Sequence, residues 1–131
     1  MRVVVCCAIA VATAACGTDS AACIEVDSSC QPLYEPVFDQ VYARTLAPKC
    51  GLPGGSCHGD PGRRAGLAFV DEQEAYDLLL DGRVVPGDAA CSELARRVLS
   101  TDPAIKMPPG ANLAPGEACA IVQWIAAGAE R

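Results

Sequence analysis

The sequence predicts an all-α domain of about four short helices, set behind a leader and a linker. Three observations predict it. Apolar residues recur at helical spacing in separate stretches along the chain, and each stretch is bounded by Pro, Gly or capping residues. Once the leader is removed about 116 residues remain, which suffices for one small domain. The expected division is residues 1–15 as signal peptide, 16–32 as a lipidated tether and 33–131 as the domain.

The leader is read from Met1-Arg2 and the small, apolar run that follows, VVVCCAIAVATAA, which is too short to span a bilayer and is flanked like a secretory signal. It ends in Thr13-Ala14-Ala15-Cys16, which resembles a bacterial lipobox. That resemblance implies lipidation of Cys16 as the first residue of the mature chain. The protein would then be held on a membrane by its N-terminal lipid, in the bacterial periplasm or at the cell surface. An ordinary cleavage near Ala15 would leave Cys16 as a thiol. Either way the chain is expected to be exported.

Loss of Arg2 leaves nine basic and sixteen acidic side chains from Cys16 onward, a formal charge of −7. The longest basic runs are Arg63-Arg64 and Arg96-Arg97, so nucleic acid is not an expected partner. An acidic chain suits a basic redox protein instead. Of the nine cysteines, Cys6 and Cys7 leave with the leader and Cys16 is the anchor. Cys23, Cys30, Cys50, Cys57, Cys91 and Cys119 remain, an even set in an oxidising compartment. Aromatic side chains are few, so the domain is expected to use staples or a cofactor.

Residues 17–31 are small, polar and acidic, as a tether should be, and Cys23 and Cys30 are close enough to close a local loop. The first helix is expected from Tyr34 to Ala47, with Tyr34, Val37, Phe38, Val41 and Thr45 on one face and Pro48 as its stop. A second helix follows the Asp71-x-x-Glu74 capping box, carries Ala75, Leu78 and Leu79 inward, and ends at Gly82. In the third, Asp88 is the expected N-cap, with Cys91, Leu94, Ala95 and Val98 on one face. The fourth enters at Pro115 and runs to Ala127 before Gly128, burying Ala118, Ile121, Val122 and Ile125. Trp124 lies beside that face and should pack on the first helix through Tyr34, Phe38 or Tyr42. By elimination Cys119 would pair with Cys91.

The chemistry concentrates in KCGLPGGSCHGD, Lys49 to Asp60, which holds the chain's single histidine. Two cysteines with a histidine directly after the second, C-x-x-C-H, form the attachment signature of c-type haem; here the spacing widens to Cys50-x6-Cys57-His58. The intervening glycines let the chain fold back, so both sulfurs could face a porphyrin edge or each other. The residues leave both accounts open: two disulfides with two haem thioethers, or three disulfides without haem. One histidine among disulfide-prone thiols argues against a zinc site. Further on, Met107 stands in Lys106-Met107-Pro108-Pro109-Gly110, where prolines display a soft thioether suited to haem iron.

Taken in order, Cys57-His58-Gly59, Val85-Pro86-Gly87-Asp88 with Ser92-x-Leu94, Met107-Pro108-Pro109, and Glu117 with Trp124-Ile125-x-x-Gly128-Ala129 resemble the planctomycete-type cytochrome c domain. The resemblance covers about 80 residues, Cys50 to Ala129. It implies a small cytochrome c-like fold of about four short helices around haem c. It implies thioethers from Cys50 and Cys57, His58 as proximal ligand and Met107 as distal ligand. The expected protein is then a membrane-anchored, mono-haem electron carrier with a redox protein as partner. No nucleophile and base in a pair suggest an enzyme, so the cofactor would carry the chemistry. The competing expectation is a haem-free, disulfide-stapled lipoprotein of cytochrome c-like fold that binds a partner or acts as a spacer.

Overall fold

The computed structural model describes residues 22–131, so the leader and the expected lipidation site Cys16 lie outside the described residues. The domain is helical, and among the described residues the only β pairing is an isolated bridge between Val85 and Asp88. Helix α1 covers residues 38–50 in three consecutive turns of different pitch: Phe38–Val41 α, Tyr42–Leu46 π and Ala47–Cys50 α. Helix α2 is Glu72–Leu80, α3 is Glu93–Leu99 and α4 is Pro115–Ala126. No described helix is long and apolar enough to cross a membrane.

Both ends of α1 differ from expectation, for reasons that lie in its prolines. Pro36 biases Glu35 away from helical geometry, so the helix begins after Val37 rather than at Tyr34. Tyr34 is nevertheless buried, and its hydroxyl hydrogen-bonds Thr45. At the other end the helix passes through Pro48 instead of stopping before it. Ala47 N–H bonds back to Tyr42 O across a π turn, and this wider turn precedes a proline that has no N–H to offer. The chain thereby gains one more turn and delivers Cys50 at its end.

Helix α2 follows its sequence signals closely. Asp71 caps it by accepting from Glu74 N–H at 2.8 Å, and Gly82 takes a positive φ just beyond its end. Helix α3 starts later than expected, with Ser92 rather than Asp88 at the N-cap position. Asp88 instead accepts from Cys91 N–H at 3.0 Å, and the buried Ser92 hydroxyl donates to Asp88 O and accepts from Val85 N–H. The stretch between α2 and α3 is thus a hydrogen-bonded turn, fixed to α4 by Gly87 N–H donating to Ile125 O at 2.8 Å.

Helix α4 is the central element. Seven of its apolar or small residues are buried, Ala118 to Val122 with Trp124 and Ile125, and so is Glu117. Trp124 meets Phe38 of α1 with ring centroids 5.2 Å apart, as the sequence predicts, while Tyr76 of α2 packs edge-on with Phe38 at 4.9 Å. The indole N–H of Trp124 donates to Glu130 O at 2.7 Å, which closes the C-terminal turn over the core.

The disulfide pairing corrects the expected one. All four cysteines assigned to disulfides are bonded, but Cys23 joins Cys91 and Cys30 joins Cys119. Neither the local loop Cys23–Cys30 nor a bond between Cys91 and Cys119 forms. The segment expected as tether lies along the domain: Ile24 N–H donates to Ala90 O at 2.9 Å, and Gln123 Nε2 donates to Ser28 O and Cys30 O. Its carbonyls find a donor on α4 and its Ile24 N–H an acceptor on the turn before α3, and this lateral binding carries each cysteine to a distant one.

Candidate functional site

One largely apolar cavity of about 480 Å³ opens between α1, the loop after it, α2, α3 and the Met107 loop. Leu46, Leu67, Phe69, Leu79, Leu94, Val98, Pro108 and Leu113 supply its greasy walls. Three of the sequence-predicted site residues line it: Cys50, His58 and Met107. The fourth, Cys57, is exposed and is not among the lining residues. Cys50 and Cys57 are both free thiols.

The loop that presents His58 is held by backbone bonds. His58 N–H reaches Cys50 O at 3.2 Å, Phe69 N–H reaches His58 O at 2.8 Å, and Arg64 N–H reaches Cys57 O at 2.8 Å. Gly59 makes the fold-back possible, since a Cβ there would run into the carbonyl oxygen of Leu52. The imidazole lies edge-on to Phe69, centroids 5.6 Å apart, and its Nδ1 is 3.3 Å from Leu67 O. A proton on Nδ1 donates to that carbonyl, which leaves Nε2 with a lone pair for a metal. Fixing the tautomer through the remote nitrogen is the usual device for a metal-binding histidine.

Burial and the neighbouring Cys57 push the Cys50 thiol up to about 11 from an ordinary 9.0, against the pull of Lys49. It is therefore a protonated, half-buried thiol on the cavity wall rather than a reactive thiolate. Elsewhere on the lining, Met107 N–H donates to Arg97 O at 3.0 Å, which ties the Met loop to the end of α3. Lys106 Nζ donates to Asn112 Oδ1 at 3.0 Å and closes the same loop on itself.

Lys49, next to Cys50, fixes the end of α1 to α4. Its ammonium meets Glu117 at 2.6 Å, and Glu117 also accepts from Ala114 N–H at 2.9 Å. Burial alone would raise the Glu117 carboxyl, but the Lys49 ammonium and the Ala114 N–H outweigh it and hold the group below the usual carboxylate range. Thr45 and, through it, Tyr34 join the same buried chain of polar groups. Glu117 enters the sequence reading only through the family resemblance; its role as the buried anchor of α1 comes from the fold.

Charged residues on the cavity were not singled out from sequence as site residues: Arg64, Arg83, Arg97 and Glu93. The two basic runs Arg63-Arg64 and Arg96-Arg97 each contribute one of them, and that was the available signal. Among the described residues no group of three His, Cys, Asp or Glu side chains is placed to hold a metal ion. Once the thiols and the Arg97-paired Glu93 are set aside, His58 and Met107 are the metal-binding types left on the cavity.

A family model described as Planctomycete cytochrome C matches residues 55–110. The match takes in Cys57, His58, the α2–α3 region and Met107, and leaves Cys50 and α4 outside it. No curated protein and no solved structure matches the chain. Over residues 55–110 the chain is therefore similar to the planctomycete cytochrome C family.

Proposed function

We propose that the protein is an exported, membrane-anchored, mono-haem c-type cytochrome that passes single electrons to or from a redox protein. The observation that carries this reading is the placement of Cys50, His58 and Met107 on one apolar cavity, although the histidine and methionine are far apart in sequence. The residues fit haem c. His58 has Nδ1 engaged and Nε2 available, Met107 offers a soft sulfur from a tied loop, and the walls are hydrocarbon. Haem, when bound, supplies the one-electron couple of its iron.

The chain's own residues then have separate tasks. His58, through Nε2, and Met107, through its sulfur, would hold the iron, a ligand pair suited to electron transfer. Cys50 and Cys57 would fasten the ring covalently, Cys50 from the cavity wall and Cys57 from the exposed loop. Leu46, Leu79 and Leu94 exclude water, which helps set the potential. Lipidation of Cys16 would anchor the chain to a membrane, and an acidic surface suits a basic partner. The competing three-disulfide arrangement requires a Cys50–Cys57 bond, and the structure instead has both as thiols.

The test is direct. The mature chain, produced with a cytochrome c maturation system, should keep its haem through acid-acetone extraction and give a pyridine haemochrome spectrum. A colourless protein after extraction would refute the proposal. Met107→Leu should then abolish the sulfur-to-iron charge-transfer band of the oxidised form while the haem stays attached. Persistence of that band would remove Met107 from the ligand set.

A further inference from the structure

The loop that carries Met107 has few fastenings to the rest of the molecule. Residues 100–113 lie between α3 and the N-cap of α4, and Pro103, Pro108 and Pro109 offer no N–H within them. The bonds inside the loop are local. Asp102 Oδ1 accepts from Ala104 N–H at 2.9 Å, Asp102 O from Lys106 N–H at 2.9 Å, and Asn112 Oδ1 from Lys106 Nζ at 3.0 Å. Among the described residues two hydrogen bonds leave the loop, and both end on Arg97. Met107 N–H donates to Arg97 O at 3.0 Å, and Arg97 Nη1 donates to Ile105 O at 3.3 Å.

One residue thus grips the loop twice, by its backbone at Met107 and by its side chain at Ile105. The side chain is itself oriented, because Arg97 Nε donates to Glu93 one helical turn earlier at 2.7 Å. A planar guanidinium can hold a carboxylate with one nitrogen and a carbonyl with another. As a partly exposed i,i+4 pair the two residues matter little to stability; their consequence is the donor aimed at Ile105 O. Burial does not hold this part of the loop instead, since residues 101–105 are all exposed. Glu93, Arg97 and Met107 line the same cavity, so the grip is applied at the wall where the thioether is needed.

We infer that Arg97 is the positioning residue for the Met107 thioether, with Glu93 holding its guanidinium in place. The inference rests on the haem reading above and adds to it the group that keeps this soft ligand in position. That matters most in the oxidised state, where a thioether binds iron least firmly. Without the guanidinium the loop keeps a single bond to α3, at Met107 itself, and can swing about it.

The experiment titrates the oxidised holoprotein with imidazole, which competes for the position Met107 holds, and follows loss of the sulfur-to-iron charge-transfer band. Arg97→Gln removes the bond to Ile105 O and should bind imidazole about tenfold more tightly than wild type, the scale of one hydrogen bond from a charged donor. Glu93→Ala keeps the guanidinium but not its orientation, and should fall between the two. Arg97→Lys restores the charge without the fork and should recover only part of the wild-type resistance. Arg96→Gln, the same loss of charge at a residue off the cavity lining, should match wild type. In amide hydrogen exchange on the same holoproteins, Arg97→Gln should speed exchange at Met107 N–H and leave Glu74 N–H, at the start of α2, as it was. An Arg97→Gln protein with wild-type imidazole affinity, or an Arg96→Gln protein that binds imidazole as tightly as Arg97→Gln, would overturn the inference. Faster exchange at Glu74 as well would overturn it too, by showing that the side chain serves the fold at large. Should Arg97→Gln fail to mature, Glu93→Ala and Arg97→Lys carry the same comparison. A protein that retains no haem refutes the haem reading and this inference with it, whereas bound haem with an intact band and unchanged imidazole affinity refutes the role of Arg97 alone.

Discussion

The two thiols of the attachment loop are chemically unequal, although the sequence presents them as a pair. Cys50 sits on the cavity wall and its pKa is pushed up to about 11, first by burial and then by Cys57, while Cys57 is exposed. In the haem-free protein near pH 8, iodoacetamide should therefore label Cys57 first. At that pH Cys50 carries ~100-fold less thiolate than a thiol of ordinary pKa, by the two-unit rise. Peptide mass mapping of a time course checks this, and equal rates would show that Cys50 is not shielded. The raised pKa also has a sign for stability. The folded state holds the Cys50 proton more tightly than the unfolded chain, so the contribution is full below the ordinary value and is lost as pH rises towards about 11. Nothing in the spacing Cys50-x6-Cys57 shows which thiol faces the cavity, because that depends on how the glycine loop folds back against Leu52.

Helices are where the sequence is most legible, and where it is least so the reason is local backbone chemistry. The Asp71 cap, the Gly82 terminus and the Pro115 entry each depend on one or two neighbouring residues, and each stands where the sequence puts it. The fate of α1 at Pro48 depends on a change of helical pitch one turn earlier, which no residue pattern announces. Its extra turn places Lys49 against Glu117, a carboxylate only 4 % exposed. Glu117→Gln removes the charge that Lys49 and Ala114 N–H address and should lower the unfolding free energy by about 1–3 kcal/mol, since Lys49 is itself partly hydrated. Urea denaturation at neutral pH measures it. Because the carboxyl is held below its ordinary value of 4.5, its contribution is present above that value and is lost as pH falls further. The difference between wild type and variant should accordingly shrink in acid, and a constant difference would assign the effect to packing.

At the scale of the whole molecule the fold is closed by covalent ties that cross it. The bonded pairs are separated by 68 and 89 residues, so each constrains a large loop of the unfolded chain. The chain-entropy model gives about 4 kcal/mol for one such loop, and less for the second because the two overlap. Cys30→Ala/Cys119→Ala should lower the unfolding free energy by about 2–4 kcal/mol in denaturant titration. A loss under about 0.5 kcal/mol would mean that the unfolded chain is already compact there. Proximity in sequence suggested the wrong partners because disulfides record proximity in space, and the N-terminal strand of chain crosses α4 before the domain begins. The cavity is half legible for a related reason: His58 and Met107 are distinctive residue types, whereas Arg64 and Arg83 read as ordinary surface charges until the fold brings them to the cavity. The Cys23–Cys91 bond also shortens the leash. Anchored through Cys16 as proposed, the domain would be tied to the membrane across seven residues, 16–22, instead of seventeen, a span that cannot exceed about 25 Å. Electrons would then be exchanged close to the membrane surface, and a freely diffusing partner would have to come to the membrane to meet it.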